Sequence, residues 1–243
     1  MENQNTVRGA SSLRTTLLAI TFLLVGTALL VPTRAAAQVS VGADLVSRYI
    51  WRGIDFGEAA TIQPGITFSA GNFSIGSWAS YGVSSAAGAN EHDLFVSYSL
   101  ALPFGTLGLG VTDYYFPNAG VGFFDLSGDG QGAHWIEPSI SFAPAMLPIS
   151  VAAYRMVHND VDASTYVQVD VAGSAGDTSL GLSVAMVTGA SSFYGTTSAA
   201  VTVASISASK EITVSDAFSL PVTVSYILNP VLERSYLTFG VSF

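Results

Sequence analysis

The chain has 243 residues, 49% of them hydrophobic and only 10% charged, with no cysteine and 24 glycines. Soluble domains carry about 25% charged residues, so this one has too few to clothe an ordinary water-facing surface. Eight Lys+Arg against seventeen Asp+Glu leave a formal net charge of −9 and no basic footprint, which excludes nucleic acid as a partner. The lack of cysteine excludes disulfide scaffolds, thiolate metal sites and cysteine nucleophiles.

Residues 1–37 read as a signal peptide. Arg8 and Arg14 precede an apolar run over 15–31, and Ala35, Ala36 and Ala37 supply the small residues of a cleavage site. Cleavage after Ala37 is expected, leaving residues 38–243 as one domain; the competing reading is a retained anchor, since a run of about 17 residues just spans a bilayer. Loss of Arg8, Arg14, Arg34 and Glu2 makes the remainder two charges more negative.

Beyond residue 37 the apolar residues recur at a period of two. Val39, Val41, Ala43, Leu45, Tyr49 and Trp51 alternate with Ser40, Gly42, Asp44, Arg48 and Arg52, which predicts one strand over 39–52 with a dry face and a polar face. Similar runs follow over 61–68, 73–83, 94–102, 107–115, 136–142, 149–157, 167–171, 180–186, 222–228 and 237–243. A further run near 199–209 has a parity that alternation does not assign. The total is about twelve strands, and an even count suits an all-β, transmembrane, up-and-down antiparallel β-barrel.

The connections sort by length. Those at 70–72, 103–106, 143–147 and 173–178 are short, whereas those at 53–59, 84–91, 117–132 and 188–197 are longer and carry Gly, Asp and aromatics; 159–164 is short where the alternation wants a long one. Outer-membrane barrels show this asymmetry, with short periplasmic turns and longer external loops. Asp44, Arg48, Arg52, Asp93, Glu137 and Asp170 share the polar parity, while Asp113 and Arg155 fall on the apolar one near the expected outer rim, where exposure to lipid costs about 0–1 kcal/mol. A β-sandwich is the soluble alternative, but its polar faces would be rich in Lys and Glu, and here they are mostly Ser, Gly, Thr and Ala. Tyr49, Trp51, Tyr81 and Tyr115 fall toward one end of the strands and Phe68, Phe73, Phe104, Phe142 and Phe243 toward the other, as two interfacial belts would.

The last segment, Tyr236-Leu237-Thr238-Phe239-Gly240-Val241-Ser242-Phe243, resembles the closing strand of bacterial outer-membrane proteins. That resemblance implies an assembly signal at Phe239, Val241 and Phe243, read by the barrel-assembly machinery. The stretch Val46-Ser47-Arg48-Tyr49-Ile50-Trp51-Arg52-Gly53, followed by Ile62-Gln63-Pro64, resembles the opening of the TorF-like porin family. It covers about the first 45 residues after the expected cleavage site plus the last strand, and implies a cell outer-membrane barrel with no catalytic residues to transfer.

Twelve tilted strands enclose a backbone cylinder about 24 Å across, reduced by side chains to about 10–14 Å. Small polar solutes fit such a bore. Trp78, Phe95, Tyr114, Trp135, Tyr154 and Tyr166 share the inward parity, and the 117–132 stretch is long enough to fold in as a plug. Arg48 and Arg52 are expected on one strand face about 13 Å apart, opposite Asp44, Glu137 and Asp170. These five are the pore-lining candidates, either as a transverse field that orients a solute or as interior ion pairs.

Other chemistries are weaker. A rim lipid hydrolase needs an outward Ser and His with an orienting carboxylate; His134 has the right parity, without a surrounding signature. Asp125-Leu126-Ser127-Gly128-Asp129-Gly130 resembles the start of a calcium loop, but the position needing a closing acid is Ile136, and turn chemistry accounts for the segment. No enzyme, cofactor or metal site is therefore expected. The expected partners are outer-membrane lipid and lipopolysaccharide, the assembly machinery and a small polar solute; a non-conducting barrel acting through its loops and a soluble lipocalin-like binder are the alternatives. Mass spectrometry of the protein purified from the envelope is expected to show Gln38 as its first residue.

Overall fold

The computed structural model describes residues 37–84 and 90–243. Apart from Ala37, the expected signal segment lies outside the described residues, as does most of the 84–91 connection. Fourteen strands follow in chain order: β1 (Gln38–Val46), β2 (Ile50–Trp51), β3 (Ile54–Asp55), β4 (Thr61–Ala70), β5 (Phe73–Gly82), β6 (Glu91–Leu102), β7 (Gly105–Tyr115), β8 (His134–Pro144), β9 (Ile149–Arg155), β10 (Thr165–Ala175), β11 (Thr178–Val187), β12 (Ala200–Ser215), β13 (Phe218–Asn229) and β14 (Arg234–Ser242). Twelve of them form a closed barrel in which each strand pairs with its sequence neighbour, and β2 and β3 pair only with each other. Closure is antiparallel between β1 and β14, with Asp44 opposite Ser242 and Val46 opposite Gly240. The barrel therefore has no free edge.

Register turns the two-residue period into a surface. Val151 stands opposite Val169 and Val169 opposite Val184, while Leu109 stands opposite Ile140. Outward residues therefore merge into an apolar girdle, with Val184 53% and Ile140 51% exposed. The inward side is built of small residues set close together: a Cβ on Gly181 would lie 2.6 Å from Ser207 Oγ on the next strand.

The strand expected over 39–52 ends at Val46. Arg52 and Gly53 have φ of 50° and 78°, and Trp51 pairs with Ile54 across them. Two successive left-handed residues in a two-residue loop make a type I′ turn, which folds the chain back as a hairpin. Side chains alternate along a hairpin arm as along a continued strand, so periodicity alone does not reveal the reversal. Tyr49 and Trp51 accordingly pack inside the barrel and do not belong to the outer belt; Tyr81 remains there.

The unassigned parity at 199–209 also has a local cause. Ala185 pairs with Val203 but Met186 with Val201, so Thr202 is an extra residue in a β-bulge. Thr202 and Val203 are both buried, whereas Val201 and Ile206 face outward. Connections at one end are the short turns 71–72, 103–104, 145–148, 176–177 and 216–217; the other end carries 47–60, 83–90, 116–133, 156–164, 188–199 and the four-residue 230–233. The connection expected at 159–164 thus spans 156–164 and fits the length alternation, whereas 230–233, as short as 145–148, departs from it.

Burial of inward residues is graded along β6, β7, β10 and β11. At the long-loop end Glu91, Asp93, Tyr114, Tyr166, Ala185 and Val187 are buried, whereas at the short-turn end Ser99, Thr106, Ala172, Ser174 and Ser179 are exposed. The lumen is packed under the long loops and open to water at the opposite mouth. Val169→Arg, on the outward face near the middle of β10, is expected to cost about 2–4 kcal/mol in urea titrations of the barrel folded into phospholipid vesicles.

Candidate functional site: an inward hairpin and an aromatic vestibule

The hairpin carries Arg52 into the barrel. Its Nη1 and Nη2 donate to Glu137 Oε1 and Oε2 of β8 at 2.7 and 2.8 Å, a bidentate pair whose side chains are 9% and 3% exposed. Nη1 also donates to the Tyr194 hydroxyl at 3.0 Å, and the Tyr114 hydroxyl donates to Glu137 Oε2 at 2.8 Å. The Arg52 Cζ lies 4.3 Å from each of the ring centroids of Trp51, Tyr154 and Tyr166. Removing both charges from water costs several kcal/mol each, and this array of charge-assisted hydrogen bonds and ring faces is what offsets it.

Backbone contacts anchor the tip. Asn229 Nδ2 donates to Gly53 O at 3.1 Å, and Asn229 Oδ1 accepts the Val231 and Leu232 N–H groups at 3.0 and 3.1 Å. A Cβ on Gly53 would lie 2.8 Å from the carbonyl oxygen of the bulged Thr202, at a φ that already excludes most side chains. Loop 188–199 closes over the same region. Tyr194 stacks on Tyr166 with centroids 5.9 Å apart, and the loop is tied to 156–164 by a Ser164–Ser191 hydroxyl bond of 2.7 Å. Asp162 accepts both the Ser192 hydroxyl and its backbone N–H, and these two bonds hold its carboxyl below the usual carboxylate range.

Between the hairpin and the loops lies a vestibule of about 660 Å³, walled by Trp51, Phe56, Tyr114, Phe116, Trp135 and Phe193. Glu91 reaches its lining from β6 and accepts the Tyr49 hydroxyl at 3.2 Å. Asp93, two residues along the same inward face, has a buried Oδ1 without a hydrogen-bond partner among the described residues. A second cavity of about 490 Å³ lies at the short-turn mouth, where Asp170 and Ser183 contribute.

Of the five residues singled out as pore-lining, the fold brings Arg52 and Glu137 into contact and scatters the rest. Arg48 sits in the bend after β1 and pairs with Asp55 at 3.3 Å, so the two arginines do not share a strand face. Asp170 accepts Gln168 Nε2 at 2.8 Å and the Ser183 hydroxyl at 2.5 Å, and Asp44 stands on β1 opposite Gln63. At the assembly segment, Phe239 and Phe243 point outward, 62% and 67% exposed. The 117–132 segment, long enough to fold in as a plug, straddles the rim. Asn118 and Val121 face the vestibule, while Phe123 packs edge-on against His134 at 4.9 Å. The material that fills the lumen comes from 47–60 and 188–199. Glu91, Tyr194, Thr202 and Asn229 were not singled out from the sequence, and Tyr49 was placed there only in an interfacial belt.

At the outer rim, His134 Nδ1 lies 2.8 Å from Asp113 Oδ2, and Nε2 lies 2.5 Å from the Phe123 carbonyl oxygen. Both ring nitrogens face acceptors, so in this arrangement neither is free to take a proton from a serine. Asp125 Oδ1 accepts the Ser127 N–H at 3.0 Å, the bond of an Asx turn.

Arg52→Ala leaves Glu137 buried without its cation and is expected to cost about 3–5 kcal/mol, whereas the double replacement Arg52→Met with Glu137→Leu costs far less. Chemical denaturation of the two variants in detergent micelles separates these outcomes.

Comparison with solved structures finds a porin, "Structure of porin refined at 1.8 angstroms resolution", at 13% identity and a TM-score of 0.36, covering 85% of this chain and 99% of that one. No curated protein matches the chain. Residues 32–217 match the model of the Gcw_chp family, described as a bacterial protein of unknown function. That match spans the expected leader's end and the barrel through β12, and the chain belongs to the Gcw_chp family.

Proposed function

We propose that this protein is an outer-membrane β-barrel acting as a narrow channel for small polar solutes, with the inward hairpin and loop 188–199 as its constriction. The reading rests first on the girdle of exposed Val, Leu, Ile and aromatic side chains around a barrel without edges. An apolar surface of that extent needs hydrocarbon against it. The resemblance of residues 46–64 to TorF-like porins points the same way.

The observation that carries the channel reading is the graded interior. A wall of Ser, Gly, Thr and Ala leads from an open mouth at the short-turn end toward the Arg52–Glu137 pair, its residues exposed at the mouth and half-buried farther in. A barrel that only displayed loops has no need of a wet half-lumen. Passage requires displacement of the hairpin, whose hold is concentrated in Arg52 and Asn229. Residual cation preference is expected, because Glu91, Asp93 and Asp170 line the path and Arg52 is neutralised by Glu137.

The second reading, a non-conducting barrel acting through its external loops, is favoured by how many contacts the hairpin makes. Planar-bilayer recording distinguishes the two. Wild-type protein is expected to give small or infrequent conductance steps, and replacement of residues 50–55 by a Gly-Ser linker to raise conductance several-fold. If the linker variant folds, as shown by heat-modifiable gel mobility, and both proteins stay silent, the channel reading fails.

A further inference from the structure

The vestibule has a chemical character distinct from the wet half of the lumen. Six aromatic side chains wall it, and Glu91 is the single charged side chain among its lining residues. The other side-chain oxygens there belong to Asn118 and to Tyr114, whose hydroxyl is already donating to Glu137. A sugar or other polyhydroxylated solute would lose its water hydrogen bonds in such a space without replacing them. A volume of about 660 Å³ lies within the usual range for a small organic ligand.

Charge balance identifies one end of that ligand. Glu91, Asp93 and Glu137 bring three carboxyl groups into the packed half of the lumen, and all three residues are buried. The guanidinium packed among them, Arg52, is taken up by Glu137 in a bidentate pair. Among the described residues no Lys, Arg or His lies within ion-pair distance of Glu91 or Asp93. Asp93 Oδ1 is buried without a partner, and the Asp93 and Glu91 carboxyl groups lie within hydrogen-bonding reach of each other. Two carboxyl groups in contact share a proton and keep one negative charge between them, which one positive charge placed at Glu91 balances. The same interior already holds a cation against ring faces, since Arg52 lies 4.3 Å from three of them.

We infer that the vestibule is a binding site for a monovalent organic cation with an apolar or aromatic body, an amine or quaternary ammonium whose charged head sits at Glu91 and whose body lies against the wall formed by Trp51, Trp135 and Phe193. This goes beyond the channel reading, because binding at the loop end does not require passage through the barrel.

Tryptophan fluorescence of the folded full-length barrel in non-ionic micelles tests it, with benzyltrimethylammonium as the probe and benzyl alcohol and benzoate as neutral and anionic comparisons. Saturable quenching by the cation is expected, with affinity falling at least about tenfold in Glu91→Gln. That replacement keeps an acceptor for Tyr49 and removes the charge. Trp135→Ala is expected to weaken binding several-fold, and gel mobility shows whether each variant is folded. Equal binding to wild type and folded Glu91→Gln, equal response to benzyl alcohol, or no saturable response at all overturns the inference. A barrel that binds the cation but never conducts sinks only the channel reading, and one that conducts without binding sinks only this site.

Discussion

An unpaired strand edge leaves a row of backbone N–H and C=O groups without partners, so a sheet without edges needs each strand to find both of its neighbours within the chain. Twelve strands meet that demand here by pairing in sequence order and closing β1 onto β14. The alternation of side chains, the sorting of connections by length and the absence of free edges all follow from that one requirement. With every second residue committed to the outside, about half of each strand is left to define the interior. This chain spends most of that half on residues too small to fill it.

The unfilled bore is closed from one end by chain that is not part of the wall. A two-residue turn at Arg52-Gly53 reverses the segment after β1, and the bulge at Thr202 brings a carbonyl against its tip. The buried pair with Glu137 sets the depth of the hairpin, since a guanidinium held bidentate and faced by three rings has one favourable position. A buried ion pair adds little net stability compared with well-packed apolar residues. Its value here is positional.

The carboxyl groups around the hairpin have unequal partners. Glu137 has a guanidinium and a tyrosine hydroxyl, Asp170 has an amide and a serine, and Glu91 has one tyrosine hydroxyl with Asp93 within hydrogen-bonding reach. That inequality separates the structural acids from those left to meet something from outside. Their setting in an aromatic pocket, away from the wet mouth, distinguishes binding from simple passage.

The amino-acid sequence by itself determined the barrel, its strand number and the apolar face turned outward, because a period of two repeated between turn residues admits few other folds. It also placed Glu137 and Arg52 on the polar parity. It did not show that the chain reverses at Arg52, since a hairpin arm and a continuing strand alternate identically, and it misplaced Tyr49 and Trp51 for that reason. Nor did it assign the parity around Thr202, where one extra residue shifts the alternation. Which charges meet was decided only in three dimensions: Arg52 and Glu137 are 85 positions apart, and Gly53 and Asn229 are 176 apart. Contacts between loops and the far wall of a closed barrel depend on register and curvature summed over many strands, and no local pattern carries that sum.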